Sequence, residues 1–444
     1  MARPEGRQRE VQRTLRVGVG GATGRVSRER SSRIGVGLAQ GMELIEVIES
    51  LQDGIGNTLG FLVLILALGA MLGKQVANSG AAQQISDSLF SLFGIKNIQW
   101  AVMLTGFIVG ITLFYSVGFV ILVPLIFTIA RSKGLSLMSI GLPMLAALSV
   151  THGFLPPHPA PSAIAVLFGA DIGLTLLYGL VIAIPAILIS GPLLGRLLKK
   201  VEAKPLKEFL STTHFQKSEL PSLWNSILTA LLPVVLIGGA TLCKEIIVEK
   251  HPLNGPITFL GNPIIALLIA VLVSIFSLGL LRGQTMKATM QSFNESLTGI
   301  TSVLLIIAGA GGLKQILIDS GVSESLGTFL KVSFLSPLLI GWLTAGLIRV
   351  AVGSATVAGL TAASIVLPLV ENGLVNPQLM VLAIGSGSLM LSHVNDAGFW
   401  LFKEYFNLSI KDTLSTWTVM ETSIGVSGIL TILFLNQLIL KFNI

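Results

Sequence analysis

The sequence predicts an all-α polytopic membrane protein made of two inverted repeats, each with a re-entrant hairpin and a broken helix. Three observations carry this reading. The 444-residue chain is 52% hydrophobic and 11% charged, with a mean hydropathy of +0.83, whereas soluble domains carry about 25% charged residues. Apolar runs approaching the length of a bilayer span recur along it. The second half also echoes the first at an offset near 241 residues. A soluble enzyme with buried helices does not fit that composition.

The apolar runs fall at 59–71 with its flanks, 174–194, 227–242, 263–281, 303–317 and 418–440. The echo has three members in one order. "LGKQVANSG" (72–80) lies over "LKQILIDSG" (313–321). "VGITLFYSVGFVILVPL" (109–125) lies over "VGSATVAGLTAASIVLPL" (352–369), with one inserted residue. "SVTHGF" (149–154) lies over "MLSHVN" (390–395), which sets His152 against His393. Matches in constant order at one offset indicate duplication.

Each repeat begins with a spanning helix, about 54–77 and 297–318. A segment of about 34 residues follows (99–132; 335–370), too long for one helix at 1.5 Å per residue across about 30 Å. Its centre can turn, at "TLFYSVG" and at "VGSATVAG". Each segment reads as a re-entrant hairpin, with two short full crossings as the alternative. A third helix is interrupted by "THGFLPPHP" or by "SHVNDAG", and a final helix closes the repeat (172–198; 413–438). Helices 223–247 and 260–281 lie between. The count from the first helix up to 297–318 is five crossings, so the second repeat enters the membrane from the opposite side. Inverted repeats with broken helices are the architecture of secondary transporters.

Charge sets the orientation and the domain limits. Arg196, Lys199, Lys200, Lys204, Lys207 and Lys217 mark a cytoplasmic linker. Residues 1–36 form an Arg-rich segment with no apolar period; residues 1–33 hold nine Arg and three Glu, +6 of the chain's net +7. Helix 260–281 has no counterpart in that segment, so a disordered or aberrant N-terminus is expected, with one or more helices missing. The division is then 1–36, a first transmembrane repeat 37–200, a linker 201–222, and 223–444 for the intervening helices and the second repeat. Cys243 is alone, which excludes a disulfide framework and a thiolate metal site. No nucleotide loop, zinc motif or nucleophile elbow is present, so no enzyme activity, cofactor, metal or nucleic-acid partner is expected.

The interruptions are the candidate site. Non-helical backbone at membrane depth must sit in protein or line a water cavity, and half-helix N-termini suit an anion. The hairpin tips offer Thr112, Tyr115, Ser116, Ser354 and Thr356. The breaks offer Thr151, His152, His158, Ser392, His393, Asn395 and Asp396. Helix ends for a carboxylate, with hydroxyls and amides for a sugar-like tail, fit a small hydroxylated anion. His152, His158 and Asp396 are the candidate proton carriers, since ionisable groups inside a membrane are functional by default. Each also has a plainer role, as a cap or a backbone partner. Arg349 either snorkels to an interface or neutralises the anion. Glu404 and Glu421 are expected at loops or helix ends.

On these same residues the chain resembles the gluconate:proton symporter (gluconate permease) family. The stretches are "IQWAVMLTGFIVGITLFYSVGFVILVPLIF", "LSVTHGFLPPHPAPSAIA", "RVAVGSATVAGLTAA" and "GSGSLMLSHVNDAGFWLFKEYFNLSIKDTLSTWTVMET". The similarity runs from about Gly37 to the C-terminus. It implies a multi-pass permease of the bacterial inner membrane that takes up gluconate or a related sugar acid with protons. It also implies an elevator-type member of a wider ion-transporter superfamily, and a homodimer in lipid. Another small organic anion, a hydroxy amino acid, or an N-terminally truncated inactive permease are the alternatives. Two departures stand out. Residues 1–36 do not match, and Ser116 in "FYSVGF" stands where relatives often carry a carboxylate or amide.

Overall fold

The computed structural model describes residues 37–203, 215–247, 251–322 and 335–442. The Arg-rich segment 1–36 and residues 204–214 of the basic linker lie outside them. Helices α1 (Leu44–Asn78), α2 (Ala81–Phe93), α3 (Ile98–Gly110) and α4 (Tyr115–Lys133) lead to a broken helix, α5 (Leu137–Phe154) and α6 (Pro159–Phe168). Helices α7 (Ile172–Leu197), α8 (Leu223–Ile246), α9 (Asn254–Gly261) and α10 (Pro263–Arg282) follow. Then come α11 (Met286–Asp319), α12 (Pro337–Val352), α13 (Ala355–Glu371), α14 (Pro377–Gly387), α15 (Ala397–Phe406) and α16 (Ile410–Phe442). Among the described residues there is no strand, and seven helices are long and apolar enough to cross a membrane. The count is eight if the bent pair α2–α3 is one span.

Short polar caps set the helix starts. Asp171 Oδ1 accepts from the Leu174 N–H at 2.7 Å ahead of α7, and Asn376 Oδ1 accepts from Leu379 N–H at 3.0 Å ahead of α14. Pro377, Pro337 and Pro263 occupy first-turn positions, where the missing N–H costs nothing.

The longest pair is α1 with α11. Ser50, near the start of α1, donates to Asp319 at the end of α11 (2.6 Å), and Asn78 at the end of α1 donates to Ser292 near the start of α11 (3.0 Å). The helices therefore run antiparallel along their lengths. They touch backbone to backbone: a Cβ on Gly54 would stand 2.3 Å from Gly311 O, and one on Gly311 would stand 2.4 Å from Gly54 O. Small residues permit such close crossings in lipid. Both helices begin some ten residues before the positions expected from sequence. Residues 44–53 and 286–296 carry too many polar side chains to register as span. Sequence reading also missed α2 and α9. The α2–α3 pair bends by 111°, and α2 is short and amphipathic, so neither it nor α9 gives a span-length signal.

The broken helix lies at the centre. Its apolar window is 83% buried, against 33% for α1 and α11, as expected for interrupted backbone enclosed by protein rather than lipid. Helix α14 leads to the second interruption and packs beside the first: a Cβ on Gly385 would stand 2.5 Å from Gly153 O. The two breaks are therefore neighbours. Glycines seat the preceding helix on each. Gly106 lies against Met144 O and Gly110 against Thr151 in the first half, and Gly387 against Trp342 O and Gly341 against Met380 in the second. Helices α12 and α13 pack side by side and meet at Gly353, while α13 also packs on α6 and α11. Lys314, on α11, donates to Leu167 O at the end of α6 (2.8 Å).

Candidate functional site

The two breaks fold differently. After α5, the chain leaves the helix at Leu155 and resumes at Pro159, so His152 sits in the last helical turn and His158 at the N-cap position. After α14, it passes through Leu391 at φ 51° and reaches Asp396, whose Oδ1 caps α15 by accepting the Gly398 N–H at 3.0 Å.

Each break anchors one interhelical tip, the turn between α3 and α4 or that between α12 and α13, by a side-chain N–H. His158 Nε2 donates to Gly110 O, at the end of α3, over 2.6 Å. Asn395 Nδ2 donates to Val350 O, near the end of α12, over 2.7 Å. At Gly353 the second tip needs φ +79°, and a Cβ there would stand 2.2 Å from Asn395 O.

Between the tips lies a polar cluster drawn from both halves. Arg349, 3% exposed, reaches Asp396 Oδ2 with Nη2 at 2.5 Å. Ser392 donates to the same oxygen at 2.5 Å. Trp417 Nε1 donates to Ser392 Oγ (2.8 Å) and Thr418 Oγ1 to Ser392 O (2.5 Å). Both come from the π turn Leu414–Thr418 of α16, a widened turn of the kind often found at functional sites. One turn on, Glu421 is 2% exposed and accepts from Ser149 Oγ at 2.5 Å. The Tyr115 ring stands 6.2 Å from His152 and 5.9 Å from Trp417, and His152 is 5.2 Å from His158. Tyr115, His152 and Glu421 all lie within electrostatic reach of Asp396.

The cluster is closed and internally mismatched. Tyr115 Oη, His152 Nδ1, Arg349 Nε and Nη1, Asn395 Oδ1 and Glu421 Oε2 are shut off from solvent without hydrogen-bond partners. Each such atom costs about 1–3 kcal/mol. Donors and acceptors held in this way can bind a small polar ligand, and the two free nitrogens of Arg349 can take an anion. A cavity of about 20 Å³ is lined by His158, Thr112, Phe114 and residues of α1.

The structure therefore brings together Tyr115, His152, Ser392, Asn395 and Asp396 of the residues expected from sequence, with His158 at the margin. Others are turned elsewhere. The Thr112 and Thr151 hydroxyls donate to Val109 O and Leu148 O of their own helices. Ser354 caps α13 by accepting from Val357 N–H, and the His393 ring accepts from Asn395 N–H. Ser116 is exposed and Thr356 half-buried. Ser149 and Trp417 join the cluster without a signal in the sequence, and Arg349, for which the sequence left an interfacial and an anion-facing role open, is buried in the cluster and not at an interface. Glu421 is a correction. The expectation of a loop or helix end fails because α16 continues through it into the core, while Glu404 is exposed beside Lys403 as expected. A lone carboxylate inside the apolar run 418–440 was the available signal.

Many apolar spans around a closed polar cluster at two helix breaks define a multi-pass membrane transporter. The chain belongs to the GntP permease family: the GntP family permease profile matches residues 32–439. It is 50% identical over 407 residues to the high-affinity gluconate transporter of Escherichia coli (strain K12), covering 91% of this chain and 93% of that protein. It is 48% identical over 404 residues to the Gnt-II system L-idonate transporter of the same strain (91% and 92%). It is 46% identical over 417 residues to the gluconate permease of Bacillus subtilis (strain 168) (91% and 93%). These are permeases and transporters, not enzymes. Among solved structures, the YdaH transporter of Alcanivorax borkumensis shares the fold at TM-score 0.64 and 16% identity, covering 90% of both chains. MtrF of Neisseria gonorrhoeae does so at 0.66 and 15%, covering 88% of this chain and 84% of that one.

Proposed function

We propose that this protein carries gluconate or a related sugar acid such as idonate into the cytoplasm, across a bacterial inner membrane, by proton symport. The observation that carries this is Arg349. It is a buried guanidinium with two unpartnered N–H-bearing nitrogens, in a chain whose relatives are named for gluconate and idonate. The substrate carboxylate docks on Arg349. Tyr115, His152, Ser392 and Asn395 meet the hydroxylated tail, and the tip residues Thr112, Ser116, Thr151, Ser354, Thr356 and His393 join when the tips move. Asp396 holds Arg349 in place, and His158 holds the first tip.

The reciprocal end-to-end contacts of α1 and α11 support two inverted repeats, 37–200 and the second half of 223–444, joined through the linker 201–222. In this reading α1 and α11 stay fixed while the hairpins and broken helices move as one body, in an elevator-type cycle within a homodimer. The test is uptake of radiolabelled gluconate by a strain lacking its own permeases, with idonate, serine and simple carboxylates as competitors. The expected result is saturable uptake competed by sugar acids and lost in Arg349→Gln. Uptake competed by serine and not by idonate would contradict it.

A further inference from the structure

Proton symport needs a group that can take and release a proton inside the closed cluster, and the geometry narrows the choice. Asp396 has no free oxygen: Oδ2 is held by Arg349 and Ser392, and Oδ1 by the Gly398 N–H. His158 is engaged with Gly110 O. Glu421 differs. Its Oε1 takes one hydrogen bond, from Ser149, and its Oε2 is buried with no partner.

The surroundings of Glu421 sharpen this. Helix α16 packs against α5, α7, α12, α14 and, at its first turns, α15, whose Lys403 and Glu404 pair with each other. From α5 come Ser149 and His152; from α12, Arg349; α14 carries no ionisable residue. Helix α7 brings only Tyr178 and Arg196, and Arg196 is bound to Gln99. Tyr115, from α4, and Asp396, from the second break, also act on Glu421. Arg349 is thus the one cation acting on this carboxylate among the described residues, and it has two nitrogens to spare. An ionised carboxylate buried without a pairing partner is costly. Two occupants can lift that cost, a proton on Oε2 or the spare N–H groups of Arg349.

We propose that Glu421 carries the coupled proton on Oε2, and that its carboxylate and the substrate carboxylate compete for Arg349. This rests on the reading of the protein as a sugar-acid symporter. With Glu421 unprotonated, Arg349 is drawn to it and the anion binds weakly. When Oε2 takes a proton from water on the outward side, an O–H bond forms, Arg349 is released to the substrate, and for a singly charged anion the loaded site carries the same net charge as the empty, unprotonated one, Asp396 staying paired to Arg349 in both. On the inward side the anion leaves, the O–H bond breaks to water, and Glu421 reclaims Arg349. One carboxylate carries one proton, and no bond of the substrate changes. Ser149 is the positioning residue, fixing the rotamer of Glu421.

The test uses the full chain in proteoliposomes with two readouts: exchange of labelled for unlabelled gluconate at equal pH, and accumulation driven by an inside-alkaline pH gradient. Glu421→Gln should lower the ratio of driven accumulation to exchange by roughly tenfold or more. Glu421→Asp should keep driven accumulation with a displaced pH profile. A ratio for Glu421→Gln within about twofold of wild type would overturn the proposal. So would loss of driven accumulation in His152→Gln with its retention in Glu421→Gln. If Glu421→Gln loses exchange as well, Glu421→Asp decides: a displaced profile supports the proposal and a wild-type profile overturns it. A wild type that neither exchanges nor accumulates gluconate would sink the sugar-acid reading itself and this proposal with it, before any variant is compared.

Discussion

Arg349 and Asp396 form an ion pair 2.5 Å long that joins the end of α12 to the second helix break, with Arg349 3% exposed. The pair ties the turn between α12 and α13 to the cap of α15. It also fixes a guanidinium whose Nε and Nη1 stay unpartnered. A structural brace and a ligand site thus share one residue, and mutants can separate the two roles.

Breaking a buried pair by removing one partner costs about 3–5 kcal/mol, chiefly because the other charge is left behind. Arg349→Gln and Asp396→Asn should each lower the melting temperature of the purified protein and abolish uptake. In Asp396→Asn the helix cap is retained, since Asn caps as well as Asp. The double variant should regain most of the stability of wild type and none of the uptake. Recovery of transport in the double variant would reduce the pair to a brace.

Gly353 separates strain from contact. Gly353→Ala meets both a left-handed φ of +79° and Asn395 O at 2.2 Å, whereas Gly373→Ala meets φ +68° with nothing within 4 Å. Strain of this kind costs about 1–3 kcal/mol. Both variants should lose stability in thermal unfolding, Gly353→Ala more, and only Gly353→Ala should lose gluconate uptake.

His158 tests whether the first tip is held by a hydrogen bond. In His158→Ala, Gly110 O is left buried and unpaired, at a cost of about 1–3 kcal/mol. His158→Gln can donate to the same oxygen. It should be the more stable of the two in thermal unfolding and keep the larger share of uptake, with an unaltered pH profile. A His158→Gln protein that melts like wild type but loses pH-driven accumulation would instead give His158 a proton-handling role.

Much of this arrangement was legible in the sequence because hydropathy and helix breakers act locally. The prolines of 156–159 and the polar "SHVNDAG" mark interruptions wherever the chain folds, and both became neighbouring breaks. Side-chain direction was not legible. Thr112, Thr151 and Ser354 are hydroxyls at the right depth, yet each is bound to the backbone of its own helix or cap, the usual local competitor for such groups. Glu421 was misplaced because it falls near the start of an apolar run. The expected helix, 413–438, already contained it; what the sequence did not show is that this turn of α16 packs against Ser149 of the broken helix and is buried. The ends of α1 and α11 were missed because their polar turns are held by each other, through contacts more than 200 residues apart in sequence.

That pairing can be trapped. In a Cys243→Ser background, which removes the chain's one cysteine, Ser50→Cys with Asp319→Cys should cross-link within one chain under mild oxidation. Asn78→Cys with Ser292→Cys should do the same. Electrophoretic mobility reads both. Cross-linking of one pair without the other would contradict the antiparallel, end-matched arrangement of α1 and α11.

The central claim is that this chain moves a sugar-acid anion together with protons, and the direct measurement is made on purified protein in proteoliposomes carrying an internal pH dye. Under an inside-alkaline gradient, labelled gluconate should accumulate above its external concentration while the interior acidifies, and a protonophore should abolish both. Gluconate that only equilibrates, with the same rate and final level whether or not the gradient is present and with no acidification, would contradict the account.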